Sequence, residues 1–237
     1  MAFGYDLGTV VVAIGALGTA SFALVDTTKI GANGGISNFG FASIEKAVRQ
    51  FFPGVTRLSP DGKAGAASDA KKLLDILHGH WINGSALADQ KAIAKSLIKL
   101  RLSEDSSANF AAATRVDANV LDHVGSKMSN GEQLSDQEMN VLGRFDLALT
   151  AIIDEGYQRA DQCYRNNARA MACAVAVVLA VLGGLAVADV SVADYFVKFE
   201  FLKYALCGLL ATPLAPIAKD VANGLAAGVK VAQAIKR

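Results

Sequence analysis

The sequence predicts an all-α integral membrane protein with three transmembrane helices and a cytoplasmic helical bundle, in which one long helix continues from the bundle into the second span. Hydrophobic residues make up 52% of the 237 positions, charged residues make up only 19%, and the mean hydropathy is positive. Such a composition is typical of membrane proteins. The apolar residues concentrate near the two ends, and the middle lacks the alternating β-branched runs that predict strands.

The most apolar stretch, Ala170 to Ala188, lies between Arg169 and Asp189 and contains 19 residues without a strongly polar side chain. As a helix it would be about 28 Å long, close to the hydrocarbon thickness of a bilayer. Small residues recur at every fourth position and would form a helix-packing ridge on which another helix can approach closely. The alternative is that the recurrence reflects only the abundance of alanine. The ridge consists of Ala172, Ala176, Ala180, Gly184 and Ala188.

A second apolar run of 19 residues, Leu7 to Val25, predicts the first span. A secretory signal peptide is the competing interpretation. The leader 1–6 contains no Lys or Arg, and no AxA-like cleavage site follows the run, so a retained transmembrane helix is favoured. Residues 1–40 are therefore assigned to this helix and a glycine-rich exit, where Asn33-Gly34-Gly35 predicts a turn.

Residues 41–134 have the patterning of a cytoplasmic helical domain. Apolar and charged residues alternate with helical spacing in four segments. Pro53 ends the first segment, and Ser68 is the expected N-cap of the second, which should end near Gly79. The third segment begins at Ser85, and the fourth spans about Ser107 to Lys127.

Residues 135–188 predict one long helix that includes the second transmembrane span. Ser135 and Glu138 form a capping box, in which each side chain satisfies a backbone donor of the other residue. No proline follows before the apolar run, so the helix is expected to extend from Ser135 to Val187. Seven residues of this helix, spaced alternately three and four positions apart, form a heptad seam that should pack on the bundle. The seam consists of Leu142, Phe145, Leu149, Ile152, Gly156, Arg159 and Cys163.

Residues 189–237 predict a third span over Tyr195 to Ala218, followed by an amphipathic C-terminal helix. Aromatic residues at the start of the span suit the membrane interface. Pro213 and Pro216 are expected to kink the helix. Glu200 and Lys203, three residues apart, can pair on one helical face. These charges predict interfacial anchors or, alternatively, part of a pore.

The distribution of Lys and Arg predicts the orientation. Both are absent from the leader 1–6 and from the connection 189–194, whereas the middle is rich in them. The positive-inside rule then places the middle and the C-terminus in the cytoplasm and the N-terminus outside the cell membrane. Three crossings give the same arrangement.

The sequence contains no strong motif for catalysis, metal binding or nucleic-acid binding. His78 and His80 are two residues apart and point in opposite directions on a helix, and no ligand cluster accompanies them. The three cysteines lack metal or disulfide spacing, and no GxSxG motif occurs. A net charge of +1 gives no field for nucleic acid. We therefore expect no catalytic residues, no metal, no cofactor and no nucleic-acid partner.

The sequence favours a non-enzymatic, homo-oligomeric membrane scaffold or anchor that presents a cytoplasmic helical docking domain. Its expected partners are the lipid bilayer, further copies of itself and a cytoplasmic protein. The alternative is an oligomeric channel, in which Glu200, Lys203, Pro213 and Pro216 would form the gate or filter.

Overall fold

The structure is a computed structural model that describes residues 7–31, 34–53, 66–102, 104–188 and 190–216. Every regular element in these ranges is an α-helix, which confirms the predicted all-α class. The leader 1–6 and the predicted C-terminal helix after Pro216 lie outside the described residues. The helices are α1 (Leu7–Gly31), α2 (Ser37–Val48), α3 (Ala66–Ile82), α4 (Leu87–Lys99), α5 (Glu104–Thr114), α6 (Ala118–Asn130), α7 (Asp136–Val187), α8 (Val192–Val197) and α9 (Phe201–Pro216).

The chain forms two compact units. One comprises residues 37–164, and we call it the bundle unit; the other comprises residues 1–36 and 165–237, and we call it the apolar unit. Helix α7 belongs to both, because its first part lies in the bundle unit and its last part in the apolar unit. The single long helix predicted from Ser135 to Val187 is thereby confirmed.

Large side chains fill the core of the bundle unit. Aromatic rings from two helices and a turn meet at Phe110, which contacts Phe51 and Phe52 edge to face and lies parallel to Phe145 with 6.1 Å between ring centroids. Leucine, isoleucine and valine residues of α2, α3, α4 and α6 complete the same cluster. This is the ordinary arrangement of a domain that folds in water, where burial of apolar area stabilises the folded chain.

Helices α4 and α7 run antiparallel and are linked by a row of lysines. Lys91 pairs with Asp154 at 3.3 Å, and Lys99 pairs with Asp146. Between these pairs, the Lys95 ammonium donates to the Thr150 hydroxyl at 3.4 Å. All three contacts are partly exposed, so they orient α4 on α7 more than they stabilise it.

The buried face of α7 differs in part from the predicted seam after its third position. Phe145, Leu149 and Gly156 are buried as predicted, but the other buried residues that follow Phe145 in the bundle unit are Ile153, Tyr157 and Ala160, which lie outside the predicted seam. Arg159 is exposed and pairs with Glu155 at 2.6 Å. A seam with heptad spacing stays on one face only when the helix supercoils with a long partner, whereas α7 packs on short helices and keeps 3.6 residues per turn.

Other helix boundaries also differ from the prediction, and the fourth predicted segment, Ser107 to Lys127, is divided into two helices, α5 and α6. Helix α3 begins at Ala66, so Ser68 lies within its first turn and is not its N-cap, and α3 continues past Gly79 to Ile82. Helix α2 begins at Ser37, directly after Gly34 and Gly35, which both have positive φ angles as the predicted turn requires.

The predicted capping box starts α7. The Ser135 N–H donates to the Glu138 carboxylate at 2.7 Å, and the Glu138 N–H donates to the Ser135 hydroxyl at 3.4 Å. The Lys127 ammonium of α6 donates to the same carboxylate at 2.9 Å. These hydrogen bonds, with the Ser135 backbone bond contributing most, lower the pKa of Glu138 from 4.5 to about 2.

We expect this carboxylate to make the bundle unit sensitive to acid. A lowered pKa in the folded state means that the stabilisation is present above pH 4.5 and is lost as the pH falls towards 2. Glu138→Gln should therefore unfold at a lower temperature than the parent near neutral pH, and the difference should shrink steadily below pH 4.5. Thermal unfolding, followed by the fluorescence of the single tryptophan, Trp81, measures this difference in unfolding temperature. Glu132→Gln is the control, and an equal gap between Glu138→Gln and the parent at all pH values would contradict the prediction.

Candidate functional site

Among the residues that the structure describes, two helices are long and apolar enough to cross a membrane: α1, over Val10–Thr27, and α7, whose C-terminal part contains the predicted second span. The third predicted span, Tyr195 to Ala218, is not one helix in the structure. The chain turns at residues 198–200, between α8 and α9, and α9 is a shorter apolar helix. The candidate site consists of the surfaces on which these helices pack and of the apolar surfaces that they expose.

The predicted ridge on α7 is buried within the chain. Ala172 and Ala176 are fully buried, Ala180 and Gly184 are also buried, and Ala188 is partly exposed. Helix α9 contacts two of these positions, Ala176 through Gly208 and Gly184 through the Tyr204 ring. A Cβ on Gly208 would lie 2.7 Å from the Ala176 carbonyl oxygen, so the backbones of α7 and α9 are in direct contact there. Since α9 packs on Ala176 and Gly184, these positions pack helices of the same chain.

Aromatic rings close the other end of the ridge. The Tyr195 hydroxyl donates to the Val181 carbonyl at 2.9 Å, and the Tyr204 ring lies against Gly184. Gly184 has no side chain, and a Cβ there would overlap both tyrosines. This glycine is therefore required for the close approach of α8 and α9 to α7.

Helix α1 also uses small residues to pack on α9. Gly15, Gly18, Ser21 and Val25 form its buried face, and the Gly18 backbone contacts Ala211. The Ser21 hydroxyl donates to the Leu17 carbonyl at 2.8 Å, so its buried oxygen is satisfied within the helix. Thr19, four residues after Gly15, is exposed and does not belong to this face. The i, i+3 spacing of Gly15, Gly18 and Ser21 is the signal that could have identified this face.

Large apolar side chains of the apolar unit point outward. Among the described side chains of α1, α8, α9 and residues 165–187, the buried positions carry Gly, Ala or Ser, apart from Val25 and Tyr195. The bundle unit has the opposite arrangement, with large residues buried. The exposed large residues of the apolar unit are Val10, Leu24, Met171, Val178, Leu182, Val187, Val190, Val192, Phe196, Val197, Phe199, Leu202, Leu206, Leu209 and Leu210.

The four residues of the alternative pore lie at or near the two ends of α9. Glu200 and Lys203 form an ion pair at 2.6 Å within one helical turn, and both are exposed or partly exposed. Pro213 lies inside α9, which continues past it to Pro216, and both prolines are on the exposed side. The ion pair satisfies itself locally and both prolines are exposed, so no contact among the described residues joins the ion pair to the prolines.

Two histidines of the bundle unit have contacts within it, and His80 shares a hydrogen bond with the Ser85 hydroxyl at 3.3 Å. His78 is buried, hydrogen-bonds to the Asn38 side-chain oxygen at 2.8 Å and contacts the Phe41 ring. The neighbouring Trp81 indole donates to the Ser37 carbonyl at 2.8 Å. Both contacts attach α3 to α2. Within the described ranges, no group of three or more His, Cys, Asp or Glu residues is placed to hold a metal ion.

The contact between α7 and α9 should be sensitive to a single methyl group. In Gly208→Ala, the Cβ would meet backbone atoms of Ala176 and Val177, which cannot move without separating the helices. We expect a loss of about 1–3 kcal/mol, which corresponds to roughly a 5- to 150-fold increase in the population of opened helices. The labelling rate of the native thiols Cys173 and Cys207, in a Cys163→Ser background, measures this opening in detergent.

Gly183→Ala is the matched control for this prediction. Gly183 adjoins the ridge on α7, but nothing lies within 4 Å of the position of its Cβ. Its alanine variant should label at the parental rate. Equal labelling of the Gly208 and Gly183 variants would show that α9 does not pack on α7 at Gly208.

The candidate site is thus a set of helix-packing surfaces and exposed apolar surfaces, and the described part of the chain contains no cluster of metal-binding residues. Comparison with protein-family models, with curated proteins and with solved structures finds no match to this chain.

Proposed function

We propose that this chain is a non-enzymatic membrane scaffold that anchors itself in the lipid bilayer and self-associates through the bundle unit. The observation that carries the proposal is the inverted burial of the two units. Large side chains are buried in the bundle unit, whereas small ones are buried and large ones exposed in the apolar unit. The two units are therefore suited to different solvents.

The inverted arrangement is unfavourable in water and favourable in lipid. In water, exposed leucine, valine and phenylalanine side chains lose the free energy that burial would supply. In lipid there is no such gain from burying them against protein. Helices then associate through close van der Waals contact, which small residues such as Gly208 and Ala176 permit.

The proposed topology follows the charges. The bundle unit and the C-terminus lie in the cytoplasm, the N-terminus lies outside, and the cell membrane holds α1, the apolar part of α7 and the segment containing α9. This orientation places the basic middle of the chain on the side favoured by the positive-inside rule. The cytoplasmic bundle unit is then available as a docking module for another protein.

Self-association is supported by one face of α7 in the bundle unit, which we call the outer face: Met139, Gly143 and Leu147. Met139 and Leu147 are exposed, and the Leu147 side chain is 73% exposed. Nothing lies within 4 Å of the position of a Gly143 Cβ. A glycine in the middle of a helix costs about 1 kcal/mol relative to alanine, and no contact within the chain offsets this cost.

A second copy fits the outer face. Met139 and Leu147 are each four residues from Gly143. Because α7 continues into the same membrane in both copies, the two helices must run parallel, and in a pair related by a two-fold axis along the membrane normal each of these residues would meet its counterpart on the other copy. Such an interface is self-complementary, as a two-fold symmetric dimer requires. The absent side chain of Gly143 would let the two helices approach closely.

Extraction and mass measurements test the proposal. The chain should stay with membranes during an alkaline carbonate wash, and it should purify in detergent as an oligomer. Leu147→Arg should reduce the oligomer to a monomer, because two guanidinium groups would be buried in the interface without partners. Ile76→Arg, at another exposed aliphatic position of the bundle unit, should leave the mass unchanged. Release by carbonate would refute the anchor, and an unchanged mass of the Leu147 variant would refute association through the outer face.

A further inference from the structure

An exposed apolar patch lies where the chain reverses direction between α7 and α9. We call it the α8 patch, and it consists of Val192, Phe196, Val197 and Phe199. Val197 is 74% exposed and Phe199 is 63% exposed. A short connection that faces water usually carries polar side chains. An exposed apolar cluster of this kind therefore marks a site of interaction.

The α8 patch is held in its outward orientation. Tyr195 is fully buried, its hydroxyl donates to the Val181 carbonyl, and its ring packs beside that of Tyr204 with 5.9 Å between centroids. Because Tyr195 occupies the inner side of α8, rotation of α8 to bury Phe196 or Val197 would break this hydrogen bond and expose the tyrosine.

The backbone at Phe199 adds a second observation. Phe199 has a φ angle of +57°, in the left-handed region that a residue with a Cβ adopts only at a cost. This conformation ends the turn after α8 and leaves the ring of Phe199 exposed, 6.2 Å from the ring of Phe201. Strained residues of this kind concentrate at functional positions.

The charges around the patch neutralise one another. Asp194 pairs with Lys198 at 3.3 Å, and Glu200 pairs with Lys203 at 2.6 Å. No net charge among these four residues repels the patch from an apolar surface. The long lysine side chains can also extend their ammonium groups towards water while their methylene groups lie in an apolar layer.

We propose that the α8 patch is a lipid-binding element that lies in the interfacial layer between headgroups and acyl chains. This inference rests on the proposed membrane anchor and adds a specific contact to it. Lipid is the occupant that fits, because the patch is continuous along the chain with exposed apolar residues of α7 and α9, including Val187 and Leu202. Aromatic side chains are also enriched in the interfacial layer of a bilayer.

Single tryptophan substitutions test the depth of the patch. Phe199→Trp, Val178→Trp and Leu147→Trp are reconstituted as full-length chains in phosphatidylcholine vesicles. The acyl chains carry bromine either near the headgroup or near the chain end, and the parent protein supplies the background from Trp81. The emission that Phe199→Trp adds should be quenched more strongly by bromine near the headgroup than by bromine near the chain end. Val178→Trp should lose more emission with bromine near the chain end, and Leu147→Trp should lose none.

The outcomes separate this inference from the proposed function. If Val178→Trp is quenched and Phe199→Trp is not, the α8 inference is overturned and the membrane anchor stands. If neither is quenched, the membrane anchor fails as well. Stronger quenching of Phe199→Trp by bromine near the chain end would assign the patch to the bilayer interior. A blue shift of its emission that grows with protein concentration, without quenching, would assign the patch to a second copy. Either result would overturn the inference. Val197→Trp repeats the measurement without altering the left-handed residue.

Discussion

Phe145→Ala should lower the free energy of unfolding of the bundle unit by about 3–5 kcal/mol. Phe145 is fully buried, and its ring stacks on Phe110, which also contacts Phe51 and Phe52. Removal of the ring leaves a cavity at the point where α7 meets the rest of the core. The surrounding rings belong to different elements, so the cavity cannot close without displacing several of them.

Chemical denaturation of the full-length chain in detergent measures this loss. The fluorescence of Trp81 reports the bundle unit selectively, because Trp81 is the single tryptophan and packs against Tyr157 and Tyr164 in that unit. Leu100→Ala removes an apolar side chain that is 80% exposed, and it should change the stability by less than about 0.5 kcal/mol. If the two variants were equally stable, Phe145 would not lie in the core.

Val178→Lys should disfavour membrane insertion by about 2.5–3.5 kcal/mol, roughly a hundredfold in the insertion equilibrium. Val178 lies near the middle of the apolar run of α7, and its side chain is 56% exposed. Helices of the same chain therefore do not shield the introduced ammonium group. If lipid covers this surface, the charge must enter the hydrocarbon layer or distort it.

The fraction of chains retained in membranes after synthesis measures the insertion equilibrium. Ala151→Lys is the matched control, because Ala151 is an exposed position of the same helix in the bundle unit. It should insert as the parent does. Unchanged insertion of Val178→Lys would mean that the exposed side of α7 faces water and that the anchor must be abandoned.

Local rules predicted the start and the length of α7 from the sequence. A capping box depends on residues three apart, and helix continuation depends on the absence of proline, so neither needs information from the rest of the fold. Ser135 and Glu138 therefore behave as predicted, and α7 ends at Val187 as expected. The all-α class followed in the same way from periodicity along the chain.

The register of buried residues along α7 needed the tertiary structure. A heptad seam and a face with 3.6-residue spacing coincide at Phe145 and Leu149, then diverge by one position at Ile153. The sequence contains apolar residues for both patterns, because Ile152 and Ile153 are adjacent. Which of the two patterns is buried is decided by the side chains of the other helices that pack on α7.

By itself, the sequence determined that this protein is helical, that its apolar residues are concentrated in segments long enough to cross a bilayer, and that small residues recur along α7. The tertiary structure decided that α9 packs on two of these small residues, Ala176 and Gly184, and that the third apolar segment is divided by a turn at Phe199. The physical reason is that composition and periodicity act within one helix. The partner of a helix face depends on which backbone can approach it, and here that depends on Gly208, Gly184 and the rings of Tyr195 and Tyr204.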